Sequence, residues 1–523
     1  MKTPSTLREQ VAQLIFPRIG SNMRPAVPVG DDVARIRDLL SRHALGGLCL
    51  FNGDRFKTPQ DLGVLQSAAP YPLLVATDME RGVGQQLRGA TIFPHAMAFS
   101  QLDPEDVETM ARISAREALA AGIHISFSPV ADVASNPKNP IISTRAYGTT
   151  TEEVIPRIEA YLHGCAAEGL LTTAKHFPGH GDTETDSHDG TPVVLRDREA
   201  LDALELPPFQ AAIDAGVPLV MTAHVAYPAL DDTERIATGS APILQDLLRD
   251  ELGFKGVVIS DSLLMEGAGD NPASPGEHAA RLLKAGLDIL LDIKDVDAVV
   301  EYLVTAAHSD AVLRTRIEEA FARIWKLKKH FLDRFGETFF LDPGTAFEPG
   351  LIGSYEHEET ARDMASRALM ERPVEGVPHR FRTLLPGLRD VMCVLVRPHT
   401  TYNDPTASPL RESFLKQFPD GTYAEVLPET DEETYGALLN EAGEHRGVVV
   451  AVIVKPAAWH TFGLLPAQHR FVDDMCRMHR VVLASLGSPV VLDDFPDAAH
   501  AVCLFSDVAA SQQALVAYLE GLA

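Results

Sequence analysis

The chain has 523 residues, 45% of them hydrophobic and 23% charged, the composition of a globular protein too long for one ordinary core. Its formal charge of -27, with no Lys/Arg cluster interleaved with aromatics, argues against a nucleic-acid partner. No apolar run approaches the roughly 20 residues of a bilayer span. The five scattered cysteines, Cys49, Cys165, Cys393, Cys476 and Cys503, read as reduced core residues, which points to the cytoplasm.

The opening MKTPSTLREQVAQLIFPRIG has no long apolar core before a small-residue cleavage site. It reads as a helix, with Thr3 to Thr6 near its cap and Leu7, Val11, Leu14 and Ile15 on one face. Short apolar runs follow at 45–51, 72–78, 125–133, 172–177, 219–225, 256–260 and 287–291. Between them lie amphipathic stretches such as 105–121, 152–168, 200–215 and 242–252. Such alternation implies α/β architecture, with parallel strands joined by right-handed crossovers. Seven runs fit a (β/α)8, TIM-like barrel with one strand still unassigned. A helix over 310–335, containing Trp325, should close this domain, expected to span 1–336. The segment 337–357, which includes FFLDPGTAFEPGLIGS, is rich in Gly and Pro and reads as a linker. A helix near 358–369 and apolar runs at 391–396, 448–454, 481–486 and 501–506 then predict a smaller three-layer α/β sandwich domain over 358–523. It has no Gly-rich turn at a strand–helix junction, so nucleotide binding is not expected.

In a barrel of this kind chemistry lies at the C-terminal strand ends. With 45–51 counted as the first strand, the second ends in Asp78, with Glu80 just after, and the third runs into a loop carrying Arg145. The fourth ends in Lys175 and His176, the fifth in His224 and the sixth in Asp261. A single polar strand end has a structural explanation, whereas polar residues at successive ends point to a site. The densest segment is KHFPGHGDTETDSHDG, Lys175 to Gly190. His and Asp are ligands for zinc and similar ions, but the loop lacks the helical i, i+4 His pair of common zinc hydrolases, so no metal is expected. His180 and Asp182 read as groups that bond the loop's own backbone. Asp186 and His188, two residues apart, can meet on one side of an extended segment. The carboxylate would raise the imidazole pKa and fix its tautomer, so the pair could donate and recover a proton near neutral pH. Asp261 adds a carboxylate at the mouth, which cations such as Lys175 or Arg145 would help keep ionised.

Taken together, KHFPGHGDTETDSH, TDMERG, NPIISTRAYG, VMTAHV and GVVISDSLLMEGA resemble glycoside hydrolase family 3, and within it the β-N-acetylglucosaminidase branch. The resemblance covers the whole barrel, and the second domain is similar to the α/β sandwich of longer members. A DSH loop at this place marks the branch acting on N-acetylglucosamine, whereas β-glucosidases and β-xylosidases typically take a Glu acid/base from another domain. The resemblance implies Asp261 as nucleophile, His188 as general acid/base and Asp186 as its orienting partner. It implies Asp78, Arg145, Lys175 and His176 as binders of the hydroxyls of the non-reducing sugar. Two departures stand out. The usual DxEGGRVQR reads DMERGVGQQ, which puts Gln86 where a sugar-binding Arg is expected and leaves Arg88 as a candidate replacement. Ser262 follows Asp261, where a second Asp is common.

The expectation is a retaining exo-β-N-acetylglucosaminidase that needs no metal or organic cofactor. Its substrates would be small soluble β-N-acetylglucosaminides, from chitin oligosaccharides or peptidoglycan turnover. The competing readings are a phosphorylase of the same branch, a metal-dependent hydrolase using the 176–188 His/Asp loop, and a sugar-binding module on an inactive barrel. The last would require loss of Asp261 or of the dyad, and all three residues are present.

Overall fold

The computed structural model describes residues 2–183, 192–233, 235–265, 274–342, 347, 350–372, 390–399, 409–456 and 462–522. They form two compact units. One comprises Met1–Thr91, Val107–Asn139 and Ala146–Tyr355, the other Ile92–Asp106, Pro140–Arg145 and Glu356–Ala523.

The first unit begins with a capping box. Thr6 accepts from Glu9 N at 3.2 Å, and the Glu9 carboxylate accepts from Thr6 N and Ser5 N, both at 2.9 Å. Those backbone bonds, Thr6 first, hold the Glu9 pKa down at about 2. The helix runs only over Leu7–Gln13. Pro17 disfavours a helical Phe16, and the chain turns extended as β1 (Ile15–Phe16) and β2 (Arg18–Ile19). Ile15, expected on a helix face, therefore lies in the strand that the alternation of apolar runs left unassigned.

The remaining barrel strands are β3 (Gly47–Leu50), β4 (Leu74–Thr77), β5 (Ile125–Ser126), β6 (Leu171–Phe177), β7 (Leu219–Thr222), β8 (Val257–Ser260) and β9 (Leu290–Leu291). All pair in parallel, in the order β2-β3-β4-β5-β6-β7-β8. An Ile259–Ile289 bridge joins β8 to the β9 segment, and β9 pairs with β1. β1 and β2 are halves of one strand, so the ring closes as an eight-stranded barrel. Pro17 sits at the break, where its missing N–H leaves no ladder bond unmade, while its carbonyl accepts from Cys49 N at 2.9 Å. With this strand counted, Asp261 ends the seventh strand and not the sixth. Apart from Arg18, the barrel strand residues are buried, as expected of a parallel sheet covered on both faces. The run 125–133 gives the ladder only Ile125–Ser126, although Val130 makes a single bridge to Lys175.

The helix predicted over 310–335 spans Ala311–Phe335, with Asp310 as its N-cap. Phe339 and Phe340, at the start of the segment read as a linker, lie instead in a short helix, Glu337–Leu341, and are buried. Phe340 stacks on His124 at 4.9 Å between ring centroids, and Phe331 meets the same imidazole edge-on at 5.0 Å. Burial there pushes the His124 pKa down to about 3. Among the described residues no helix is long and apolar enough to cross a membrane.

The second unit is a six-stranded sheet: β10 (Met370–Arg372), β11 (Val391–Val396), β12 (Thr422–Val426), β13 (Gly447–Val452), β14 (Val481–Ser485) and β15 (His500–Cys503). Its order is β10-β15-β14-β13-β11-β12, parallel except for the edge strand β10. Cys393 and Leu395 of β11, with Val449 and Ala451 of β13, face the helices Leu410–Gln417 and Ala509–Leu522 through Phe414, Leu515 and Leu519. Residues of the opposite register, such as Met392, Val394, Val448 and Val450, are equally buried, which gives the three-layer sandwich.

Candidate active site

Lys175 and His176 end β6, where the pairing with β7 slips out of register between Ala174 and Phe177. The Lys175 side chain is 2% exposed and pairs with two carboxylates, Asp78 Oδ1 at 2.7 Å and Glu80 Oε1 at 2.8 Å. An ammonium so far out of water is stable only because both acceptors meet it. Asp78 follows β4 and keeps part of its surface open to solvent.

His176 is held from behind by Asp132, whose side chain is fully buried. Asp132 Oδ2 lies 2.7 Å from His176 Nδ1, and Oδ1 accepts from His180 N at 2.7 Å. Burial by itself would raise the Asp132 pKa, but the charge and hydrogen bond of His176, together with the His180 contacts, outweigh it and hold the carboxyl below its usual range. The bond at Nδ1 orients the imidazole and leaves Nε2 as its other polar edge. Two loop segments approach closely here: a Cβ on Gly181 would stand 1.7 Å from Val133 O. His180 Nδ1 bonds Thr183 Oγ1 at 2.8 Å, and Asp182 pairs with Arg196 at 2.7 Å. Both therefore act in building the loop.

Asp261 follows β8 and is partly exposed. Its Oδ1 accepts from Ser262 N at 2.7 Å, while Oδ2 has no hydrogen bond among the described residues. Burial works to raise its pKa, but the charges of His224 and His176, the Ser262 N–H and Lys175 outweigh it, so the carboxyl stays below its usual range. His224 is fixed at both nitrogens, Nδ1 by Thr238 Oγ1 at 2.8 Å and Nε2 by Ser262 O at 3.1 Å. Ser262 Oγ donates to Asp292 Oδ2 at 2.7 Å, and Arg18 Nε donates to the same oxygen at 3.0 Å. A second Asp at position 262 would set two carboxylates against each other, so the serine suits this neighbourhood.

Residues 6–327 match the family description Glycosyl hydrolase family 3 N terminal domain. The chain belongs to glycoside hydrolase family 3. It is 32% identical over 376 residues to the β-hexosaminidase A of Pseudoalteromonas piscicida, covering 65% of this chain and 62% of that protein. It is 37% identical over 277 residues to a β-hexosaminidase of Vibrio cholerae, covering 52% of this chain and 82% of that one. A solved family 3 β-N-acetylglucosaminidase from Paenibacillus superposes with a TM-score of 0.83 at 27% identity, covering 99% of this chain and 97% of the other.

In this family 3 protein Asp78, Lys175, His176 and Asp261 stand at the same end of the barrel, and the charges of Lys175 and His176 act on Asp261. Asp186 and His188 lie outside the described residues. Arg145 falls in the second unit, where its Nη1 donates to Ile141 O at 2.9 Å. Gln86 is buried, with Oε1 accepting from Asn22 Nδ2 at 2.9 Å, and Arg88 is exposed. Sequence reasoning passed over Asp132, Asp292 and Arg18. The signal for Asp132 was a lone charge inside the apolar run 125–133. Arg18 was hidden by the helical reading of its segment.

Proposed function

We propose that this chain is a retaining exo-β-N-acetylglucosaminidase acting by double displacement. What carries the reading is the Asp261 carboxylate, held ionised at a strand end with Oδ2 unengaged among the described residues, beside the Lys175–Asp78 pair and His176. A carboxylate so poised suits attack on an anomeric carbon, and the acceptor-rich Asp78 and the imidazole of His176 suit sugar hydroxyls. The relatives named β-hexosaminidase and β-N-acetylglucosaminidase support N-acetylglucosamine as the terminal sugar. Asp261 attacks the anomeric carbon while His188, oriented by Asp186, gives its proton to the departing oxygen. Water then attacks the glycosyl-enzyme, His188 takes back a proton, and the sugar leaves with its β configuration. Arg145 is assigned to the same terminal sugar. We take the substrates to be soluble chitin oligosaccharides or peptidoglycan-derived sugars, met in the cytoplasm, where the five buried free cysteines would stay reduced.

Product analysis on N-acetylglucosamine disaccharides, with and without phosphate, tests the reading. Free β-N-acetylglucosamine should be the first product, at a rate indifferent to phosphate. Accumulation of the sugar 1-phosphate would replace the hydrolase with a phosphorylase, and α-configured product would overturn retention.

A further inference from the structure

Behind the loop that carries His180 lies a carboxyl group that nothing above uses. Glu205 closes a π-helical turn, Leu201–Glu205, that leads into the helix Leu206–Asp214. Such turns interrupt α-helices and recur at functional sites. Glu205 is 1% exposed, and among the described residues neither carboxyl oxygen has a hydrogen-bond partner. It packs directly beneath Gly179, where an added Cβ would stand 2.6 Å from Glu205 Oε2 and where φ is +132°. Gly179 is anchored on either side: its N donates to His176 O at 2.8 Å, and its carbonyl accepts from the buried Tyr227 hydroxyl.

Among the described residues the charged and titratable groups facing Glu205 are Asp132, Asp182, Arg196 and Tyr227. Its nearest cation, Arg196 Nε, is 3.9 Å away and already committed to Asp182 at 2.7 Å. Asp132, by contrast, must remain a carboxylate to serve His176 Nδ1 and His180 N. Two neighbouring buried carboxylates, with the cation beside Glu205 committed to Asp182, cannot both be charged cheaply.

We propose that Glu205 is a positioning residue that works as the neutral acid, filling the space under Gly179 and leaving Asp132 as the carboxylate that orients His176. Ionised Glu205 would draw Arg196 from Asp182 and repel Asp132, disturbing the imidazole proposed to bind substrate hydroxyls. The inference rests on the functional reading above for His176. Burial first, then the charge of Asp132, raises the Glu205 pKa to about 8, which places the change within reach of measurement.

The sign follows from the shift. Raised in the folded state from an ordinary value near 4.5, Glu205 makes stability fall as pH rises from there through about 8. KM and kcat for p-nitrophenyl N-acetyl-β-glucosaminide would be followed from pH 6 to 9.5 in the wild type and in Glu205→Gln, with melting temperatures in parallel. In the wild type, KM should rise about tenfold from pH 7 to 9 as the competent fraction falls. In Glu205→Gln that rise should vanish and the decline in melting temperature should flatten, with any kcat limb unchanged. The same KM rise in the Gln variant, or a wild-type KM flat to pH 9.5, overturns the inference. If the wild type cleaves no N-acetylglucosaminide, the functional reading fails. The melting curves then decide separately whether Glu205 titrates, since an identical pH dependence in both proteins sinks that too. Should Glu205→Gln not fold, Glu205→Met carries the same comparison.

Discussion

At the mouth of the barrel, one lysine meets two carboxylates and one buried aspartate meets an imidazole and two backbone N–H groups. In the second unit, just beyond β13 and β15, Lys455 meets Asp507 at 2.6 Å, and both are buried. Both units are parallel α/β constructions, and both put charged side chains where ligands of such folds commonly bind. The difference is one of stoichiometry. In the second unit Lys455 is paired with one oxygen of Asp507, one cation with one anion. In the barrel Lys175 is shared by Asp78 and Glu80, and Asp261 Oδ2 has no hydrogen bond among the described residues, so acceptor capacity is left over for a ligand's hydroxyls. Polar residues at strand ends become a site when their charges exceed what they can satisfy among themselves.

The largest effect should come from removing that surplus at its centre. Asp261→Ala should lower kcat on the order of 10⁴-fold with sugar binding retained, and a 2-fluoro substrate should label Asp261 in the wild type. A label on Asp78 or Glu80 would move the nucleophile and with it the contrast between the units. A smaller loss is expected one step behind the mouth. Asp132→Asn keeps the shape but removes the charge that holds His176, so kcat/KM should fall about 10- to 100-fold, the worth of one charged hydrogen bond. Urea melts should show a destabilisation of about 3 kcal/mol, as for other broken buried pairs. Full activity in this variant would mean that His176 needs no such orientation. Least affected should be the double variant Lys455→Met with Asp507→Leu. Replacing a buried pair by apolar side chains should leave hydrolysis within about twofold and stability unchanged or raised by about 1–4 kcal/mol. If the double variant loses activity, the second unit contributes more than a self-satisfied pair.

Much of this arrangement is written in local patterns. Five of the seven apolar runs mark their strands closely, because a strand buried on both faces must be apolar along its length. The exceptions are 287–291 and 125–133, where only two residues each form the strand, and in the latter Asp132 turns back to hold the next strand's histidine. Asp132 was hard to find because its partners, His176 and His180, lie 44 and 48 residues away, and no spacing rule reaches that far. The first strand was masked for a different reason. Leu7, Val11, Leu14 and Ile15 satisfy helical periodicity, and only Pro17 signals that the last of them has left the helix. Ser262 looked like a departure from the family pattern until Asp292, folded against it from another strand, gave it a hydroxyl's task. Glu205 sits in a segment that reads as an ordinary amphipathic helix, and its isolation from hydrogen-bond partners is a property of packing alone.

The split first strand also sets a timetable for synthesis. β2 can pair with β3 soon after both leave the ribosome, but β1 must wait for β9, made some of the last in the barrel. Closure is thus a long-range event, slow by its topology. Until Leu290–Leu291 emerges, the nascent barrel keeps two open edges of the kind that invite misassembly. Arg18 gains Asp292 only at that moment, and Asp292 in turn receives the Ser262 hydroxyl beside Asp261. A growing chain therefore cannot finish the polar cluster at the barrel mouth before its hydrophobic ring is sealed, and the two are completed by the same strand.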